Sequence, residues 1–185
     1  MSAEATQDAA AGPDALAAAF RSAMGGLASG VVLVTTWADG RPWGLTISSC
    51  TSVSVDPPTL LVSLGSQTRS ARDIEATGRF GIGILGDRLV EVAQIGSAPG
   101  RPKWVDEHCE GDPGAPVRSP VLRGALAHFD CRVVQALPFA DHTIFLGAVE
   151  DVVTGEDAGS SLVYFRRRYW QVASFAGTDR LYEHW

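Results

Sequence analysis

The sequence predicts a mainly β fold, a Greek-key antiparallel barrel carrying a few short helices, and three observations lead there. About eight strand-like runs rich in Val, Ile, Leu and Thr are set apart by Gly, Pro and Asp turn signals. The helical segments between them are few and short, so the regular strand-helix-strand alternation of a doubly wound sheet is missing. No GxGxxG stands between a strand and a helix, and Gly81-Ile82-Gly83 falls inside a strand run, which argues against a dinucleotide-binding sheet of that kind.

Taken in order, Asp14 is placed to cap a first helix of about four turns, with Leu16, Ala19, Phe20, Ala23, Met24 and Leu27 at helical spacing and Gly25-Gly26 where it should stop. Gly30 opens the β-branched run VVLVTTW, which ends at Asp39-Gly40, a two-residue hairpin signal. The next strand is expected to carry a serine-threonine cluster and to end at Asp56-Pro57-Pro58, after which TLLVSL resumes as a strand. A short helix over Ser70–Thr77, stopped by Gly78, leads into the strand RFGIGIL, and a second short helix follows over Asp87–Ile95. Gly96 to Pro120 holds five prolines and four glycines, too many for regular structure, and reads as a long surface excursion. Ala125–Ala136, His142–Thr154, Ser161–Arg166 and Tyr169–Ser174 supply the remaining strands, with turns at Pro138, Gly155 and Gly159.

One domain over residues 14–174 is expected, between a solvated tail over 1–13 and a C-terminal extension over 175–185. The tail has neither the basic nor the apolar region of a signal peptide, and no apolar run approaches the ~18 residues of a membrane span. A cytoplasmic protein is the expectation. Cys50, Cys109 and Cys131 form no even-numbered framework and no CxxC pair, which points to reduced thiols and to no metal site, His108-Cys109 having no matching ligands. A formal charge of −6 argues against nucleic acid as a partner. The basic cluster Arg166-Arg167-Arg168, read as part of a strand beside Tyr169 and Trp170, suits either a phosphate or a charged edge strand protected from pairing.

The most informative stretch is Gly44 to Leu64. Ser48, Ser49, Cys50, Thr51 and Ser52 are five consecutive small residues, four with hydroxyls, and a buried strand has little reason to carry them unless a polar ligand lies alongside. The plainer alternative is ordinary β propensity, with Ser66 a mere helix cap.

Together these motifs resemble the flavin reductase-like family, the FMN-binding split barrels that serve two-component flavin-dependent monooxygenases. Phe20-Arg21-Ser22-Ala23-Met24-Gly25-Gly26-Leu27-Ala28-Ser29-Gly30-Val31 is similar to FR-x-AMG-x-FATGV, and Gly44 to Pro58 is similar to GxTxxSFTSVSLDPP. Ser66-Gln67-Thr68-Arg69-Ser70, Gly78 to Leu85, Ala140 to Gly147 and Tyr164 to Tyr169 continue the likeness, which spans roughly Phe20 to Val172. Cys50 stands where an aromatic is common, Gly83 where Asn is common and Arg167 where Gly is common.

The resemblance implies an NAD(P)H:flavin oxidoreductase, with FMN or FAD reduced by NADH or NADPH and passed to a partner monooxygenase or halogenase, and a homodimer with flavin near its interface. A flavin needs an apolar face, hydrogen bonds along one ring edge and a separate place for its phosphate. Thr46, Ser48, Ser49, Cys50 and Thr51 are the expected ring-edge residues, and Ser66, Thr68, Arg69 and Ser70, where a helix begins, the expected phosphate residues. His142 is the expected catalytic residue, orienting the nicotinamide or supplying a proton. Arg166 and Tyr169 are candidates for nicotinamide or adenosine contact, against an alternative of edge charge and barrel packing, and Trp104 either covers the site or anchors a subunit interface. The competing reading is a flavin-binding electron-relay or carrier protein without reductase turnover. Triad hydrolases and P-loop enzymes are set aside for want of GxSxG and GxxxxGK[ST].

Overall fold

The run VVLVTTW is β-branched almost throughout because its strand is covered on both faces, with every residue from Val32 to Thr36 buried. The computed structural model that shows this describes residues 12–112, 118–155 and 159–173. In chain order the described elements are α1 (Pro13–Met24), β1 (Ser29–Gly30), β2 (Val32–Ala38), β3 (Arg41–Ile47), β4 (Cys50–Val55), β5 (Pro58–Gly65), α2 (Arg69–Thr77) and β6 (Arg79–Ile84). There follow α3 (Val90–Ser97), β7 (Cys109–Glu110), β8 (Val121–Leu122), β9 (Ala127–Phe139), β10 (His142–Thr154), β11 (Leu162–Phe165) and β12 (Arg168–Gln171). The fold is mainly β, as expected.

Seven strands form one antiparallel sheet in the order β3-β2-β6-β9-β10-β5-β4. Its two edges, β3 and β4, are consecutive in the chain and separated only by Ser48-Ser49. A two-residue link reaches from one edge to the other only if the sheet curls until its edges face each other. The edges meet without pairing, which makes the barrel a split one. The link is tacked to β5 from both sides: Ser63 N–H donates to the Ser49 carbonyl at 3.1 Å, and the Ser49 hydroxyl donates to the Ser63 carbonyl at 2.6 Å.

Strand alternation on β2 sends successive side chains to two cores. Val34 joins Val62, Leu64, Ile74, Phe80, Ile82, Cys131 and Phe145 in one, while Leu33 joins Leu85, Val92, Val105, Cys109, Leu122 and Leu162 in the other. Burial pushes the Cys109 and Cys131 thiols up to about 12.

Several sequence expectations are corrected. The first helix starts at Pro13 behind Gly12, with no side-chain cap; Asp14 sits in the first turn, where its charge complements the helix dipole. The serine-threonine cluster does not share one strand, because Ser48 and Ser49 are the crossing itself and Cys50 and Thr51 already belong to β4. Pro138 does not turn the chain; it lies within β9 opposite Thr143, past the last residue of β9 that pairs with β6, so its missing N–H leaves no ladder bond unmade. The turn falls at Ala140-Asp141, with Ala140 at φ 51°. Arg166 and Arg167 are not strand residues but the two turn residues between β11 and β12, at φ 49° and 63°. Asp39-Gly40 makes the expected turn, at φ 51° and 73°.

The excursion after α3 is fastened along β3 rather than left over the site. Gly44 N–H donates to the Lys103 carbonyl at 2.9 Å and Val105 N–H to the Pro42 carbonyl at 3.1 Å. Trp104 meets Trp43 edge to face at 4.9 Å and lies under the Arg41 guanidinium, which also grips Asp106 with two 3.0 Å bonds. It covers an exposed sheet edge.

The return of the excursion is held by buried polar groups. Thr35 Oγ1 donates to the Pro120 carbonyl at 2.7 Å, and the Ser119 N–H and hydroxyl donate to Asp130 at 2.8 and 2.6 Å. His128, 2% exposed, accepts the Leu122 N–H on Nδ1 at 3.4 Å, and burial lowers its pKa to about 4 against a smaller opposing pull from Asp130. Folded His128 is neutral whereas the unfolded side chain titrates near ~6.5. Its contribution to stability is therefore present above ~6.5 and lost as pH falls toward about 4, on the order of 3 kcal/mol. Thermal melts of the wild type should fall steadily across that window, and His128→Gln should show a flatter profile; parallel profiles would refute the assignment.

Candidate functional site

The crossing of the sheet edges leaves a cleft of about 540 Å³ at their meeting point. Val31, Leu45, Ile47 and Leu64 give it apolar walls, and Thr46, Ser48, Ser49, Ser63, Gly65 and Thr68 supply polar groups from β3, the link, β5 and the approach to α2. His142 enters from the start of β10, and Tyr164, Arg167 and Tyr169 from the β11–β12 hairpin, with Ser97 from α3.

The walls are held together through one carbonyl. Thr46 Oγ1 donates to the Ala93 carbonyl at 2.9 Å, and the Tyr169 hydroxyl donates to the same oxygen at 3.2 Å while lying 3.2 Å from Ser97 Oγ. The Thr46 bond needs α3 close against β3, and Gly96 provides the approach. A Cβ there would lie 2.8 Å from Leu33 Cδ1 and 2.8 Å from the Thr46 nitrogen.

At the other end Thr68 caps α2: its Oγ1 accepts the Ala71 N–H at 3.2 Å and donates to the Gly65 carbonyl at 2.8 Å. Gly65 is the cross-strand partner of His142. The His142 ring, half exposed, lies with Nδ1 2.8 Å from Asp141 Oδ1, and this hydrogen bond holds the Asp141 carboxyl below its ordinary range. Asp141 thereby orients the ring and leaves Nε2 for other partners.

Of the residues expected from sequence, Thr46, Ser48, Ser49, Thr68, His142 and Tyr169 line this cleft. The other six do not. Cys50, just past the crossing, packs on the core opposite Val62, and burial pushes its thiol up to about 11. Thr51 alternates to the exposed face of β4. Ser66 shares a 2.9 Å hydrogen bond with Thr143. Arg69 turns toward the β2–β3 hairpin, with Asp73 3.0 Å and Asp39 3.1 Å away, because the first turn of α2 places Asp73 one helical turn on. Ser70 is wholly buried, its hydroxyl without a partner among the described residues, and Arg166 lines a second hollow beside α1. Trp104 is also outside the cleft.

Sequence reasoning missed Tyr164, Ser97, Ser63 and Gly65, and it raised Arg167 only within a basic cluster read as strand, not as a turn residue at the cleft. The two-residue gap between the runs LVYF and RYWQ was the available hairpin signal, but Arg-Arg lacks the Gly or Asn that usually marks such a turn.

A domain model described as "Flavin reductase like domain" matches residues 24–173. The chain belongs to this family. Among curated relatives of this flavin reductase-like protein, the NADH-dependent FMN reductase AsuE2 of Streptomyces nodosus subsp. asukaensis is 36% identical over 152 residues, 81% of this chain and 82% of that one. The reductase component of a 4-nitrophenol 4-monooxygenase/4-nitrocatechol 2-monooxygenase of Rhodococcus opacus is 36% identical over 155 residues, 82% and 79% of the two chains. The solved structure of the flavin reductase PheA2 in its native state superposes with a TM-score of 0.74 at 32% identity, covering 85% of this chain and 98% of that one. The resemblance carried by the Phe20–Val172 motifs and the split-barrel fold therefore agree with independent comparison.

Because Gly96 sets the distance between α3 and the Thr46 wall of the flavin reductase-like cleft, Gly96→Ala should be destabilising by about 1–3 kcal/mol through overpacking. Differential scanning calorimetry should record a melting temperature lower by several degrees; an unchanged value would mean that the α3–β3 approach is not tight.

Proposed function

We propose that this protein is an NAD(P)H-dependent flavin reductase that supplies reduced FMN or FAD to a separate flavin-dependent monooxygenase or halogenase. The observation that carries the reading is the cleft at the sheet crossing, apolar on its walls and edged by small hydroxyl residues, a histidine and an arginine. Its volume of about 540 Å³ lies within the range of small-molecule and cofactor sites. The activities named for the relatives, an NADH-dependent FMN reductase and a monooxygenase reductase component, support the same reading.

A bound flavin supplies a ring that accepts a hydride from NADH or NADPH. The chain's part is positioning. Val31, Leu45 and Ile47 offer apolar contact, while Thr46, Ser48 and Ser49 offer hydrogen-bonding groups for the ring edge; the Ser48 hydroxyl has no protein partner among the described residues. Cys50 and Thr51 serve through the course of the chain more than through their side chains. The start of α2 behind Thr68 presents N–H groups suited to a phosphate, with Ser66 bonded to Thr143, Arg69 held by Asp39 and Asp73, and Ser70 buried in the first turn. His142, steadied by Asp141, orients the nicotinamide or exchanges a proton at Nε2. Tyr169 completes the wall.

The reading includes a homodimer. Leu16, Phe20 and Met24 are 64, 65 and 47% exposed on α1, and Phe139 is 73% exposed at the end of β9; apolar surface of this kind suits a second copy of the chain. It also places the protein in the cytoplasm, in keeping with three unpaired cysteines. No helix among the described residues is long and apolar enough to cross a membrane.

Anaerobic mixing of the protein with NADH or NADPH and excess FMN or FAD should bleach the oxidised flavin absorbance near ~450 nm catalytically. His142→Ala should slow the bleaching by about ten- to a hundredfold. Flavin that binds but never bleaches with either nucleotide would favour a carrier instead, and an unchanged His142→Ala rate would remove that residue's role.

A further inference from the structure

Arg167 is the only arginine or lysine among the residues lining the cleft, and it also lines a second hollow of about 570 Å³ behind the β11–β12 turn. That hollow is bounded by Ala18, Arg21, Ser22, Gly25 and Gly26 at the C-terminal end of α1, and by Arg166. Arg21, Arg166 and Arg167 line this one hollow in a protein of net charge −6, and none of the three forms an ion pair among the described residues. Arg166 stacks at 5.1 Å over its neighbour Phe165, while its N–H donates to the Gly25 carbonyl at 3.0 Å and fixes the turn against α1.

The turn itself is a costly place for arginine. Arg166 and Arg167 adopt φ of 49° and 63°, the left-handed region in which glycine is at ease and other residues lose about 1 kcal/mol or more each. Arg69, the cation expected from sequence to meet a phosphate, is engaged by Asp39 and Asp73 on the other side of α2. Guanidinium forks match phosphate oxygens, and paired convergent arginines are a common means of holding them.

We propose that Arg167, with Arg21 and Arg166 behind it, forms an anion subsite continuous with the cleft that takes a phosphate group of a bound nucleotide. The proposal rests on the flavin reductase reading for the identity of the cleft's occupant. The phosphate belongs either to the flavin nucleotide or to the nicotinamide nucleotide, and the two sources differ in what they predict.

The test uses the full chain as wild type, Arg167→Gly and Arg21→Gln. Dissociation constants for riboflavin, FMN and FAD are read from flavin fluorescence, and KM values for NADH and NADPH from steady-state turnover. Each substitution should weaken one class of phosphate-bearing ligand by about tenfold and leave riboflavin unchanged. Loss confined to FMN and FAD assigns the subsite to the flavin phosphate; loss confined to NADH or NADPH assigns it to the nicotinamide nucleotide. Arg167→Gly should meanwhile melt at the same or a higher temperature, because glycine relieves the left-handed turn, so weaker binding is separable from misfolding. Unchanged affinities for every ligand, or equal losses for riboflavin and FMN, would overturn the subsite. Wild-type protein that binds no flavin at all would overturn the reading of the cleft itself, a separate result.

Discussion

The Ser48-Ser49 link is the constraint on which the rest of the structure depends. Two strands that end up as opposite edges of a seven-stranded sheet are neighbours in the chain, and two residues span only ~7 Å. The sheet is therefore obliged to curl, and the place where its edges meet is obliged to be irregular. Paired strands consume their own N–H and C=O groups, whereas a crossing leaves polar groups free to face a ligand. Small hydroxyl residues suit the position because they fill little space and can bond either to the neighbouring strand, as Ser49 does with Ser63, or to whatever occupies the cleft.

Around that crossing the molecule is stiffened from three directions. Thr46 and Tyr169 share the Ala93 carbonyl and so tie β3, α3 and the β11–β12 hairpin to one point. Asp141 and Thr68 hold the opposite end through His142 and the start of α2. The excursion, clamped by Trp43, Trp104, Arg41 and Asp106, covers the β3 edge and leaves the cleft open. Walls tied together in this way suit a reaction in which positioning is the main requirement.

Local signals were legible in the sequence wherever one residue type has one conformational meaning. Asp39-Gly40 announced a hairpin, Gly78 a helix end at φ 68°, and the β-branched run of β2 a strand. The motif around Ser48 pointed to the crossing beside which the cleft lies. Direction was not legible: whether Cys50 faces core or cleft depends on where the strand breaks, and a one-residue shift in that break reverses the alternation. Arg69 illustrates the same limit, since the carboxylates that claim it come from Asp39, thirty positions earlier in the chain, and from Asp73 in its own helix. Arg167 was noticed as a basic residue but read as part of a strand, because the turn it makes is usually made by glycine or asparagine.

The burial of the thiols has a consequence for an enzyme of this kind. Reduced flavin that meets oxygen in solution yields peroxide, so a protein that releases it works beside a source of oxidant. Only the thiolate is readily oxidised to a sulfenic acid, and at neutral pH a thiol held near 11 or 12 is thiolate in a vanishing fraction. By burying Cys109 and Cys131 and partly burying Cys50 against apolar neighbours, the barrel keeps its thiols protonated, so the packing that gives the molecule its two cores also disfavours the thiolate that such an oxidant attacks.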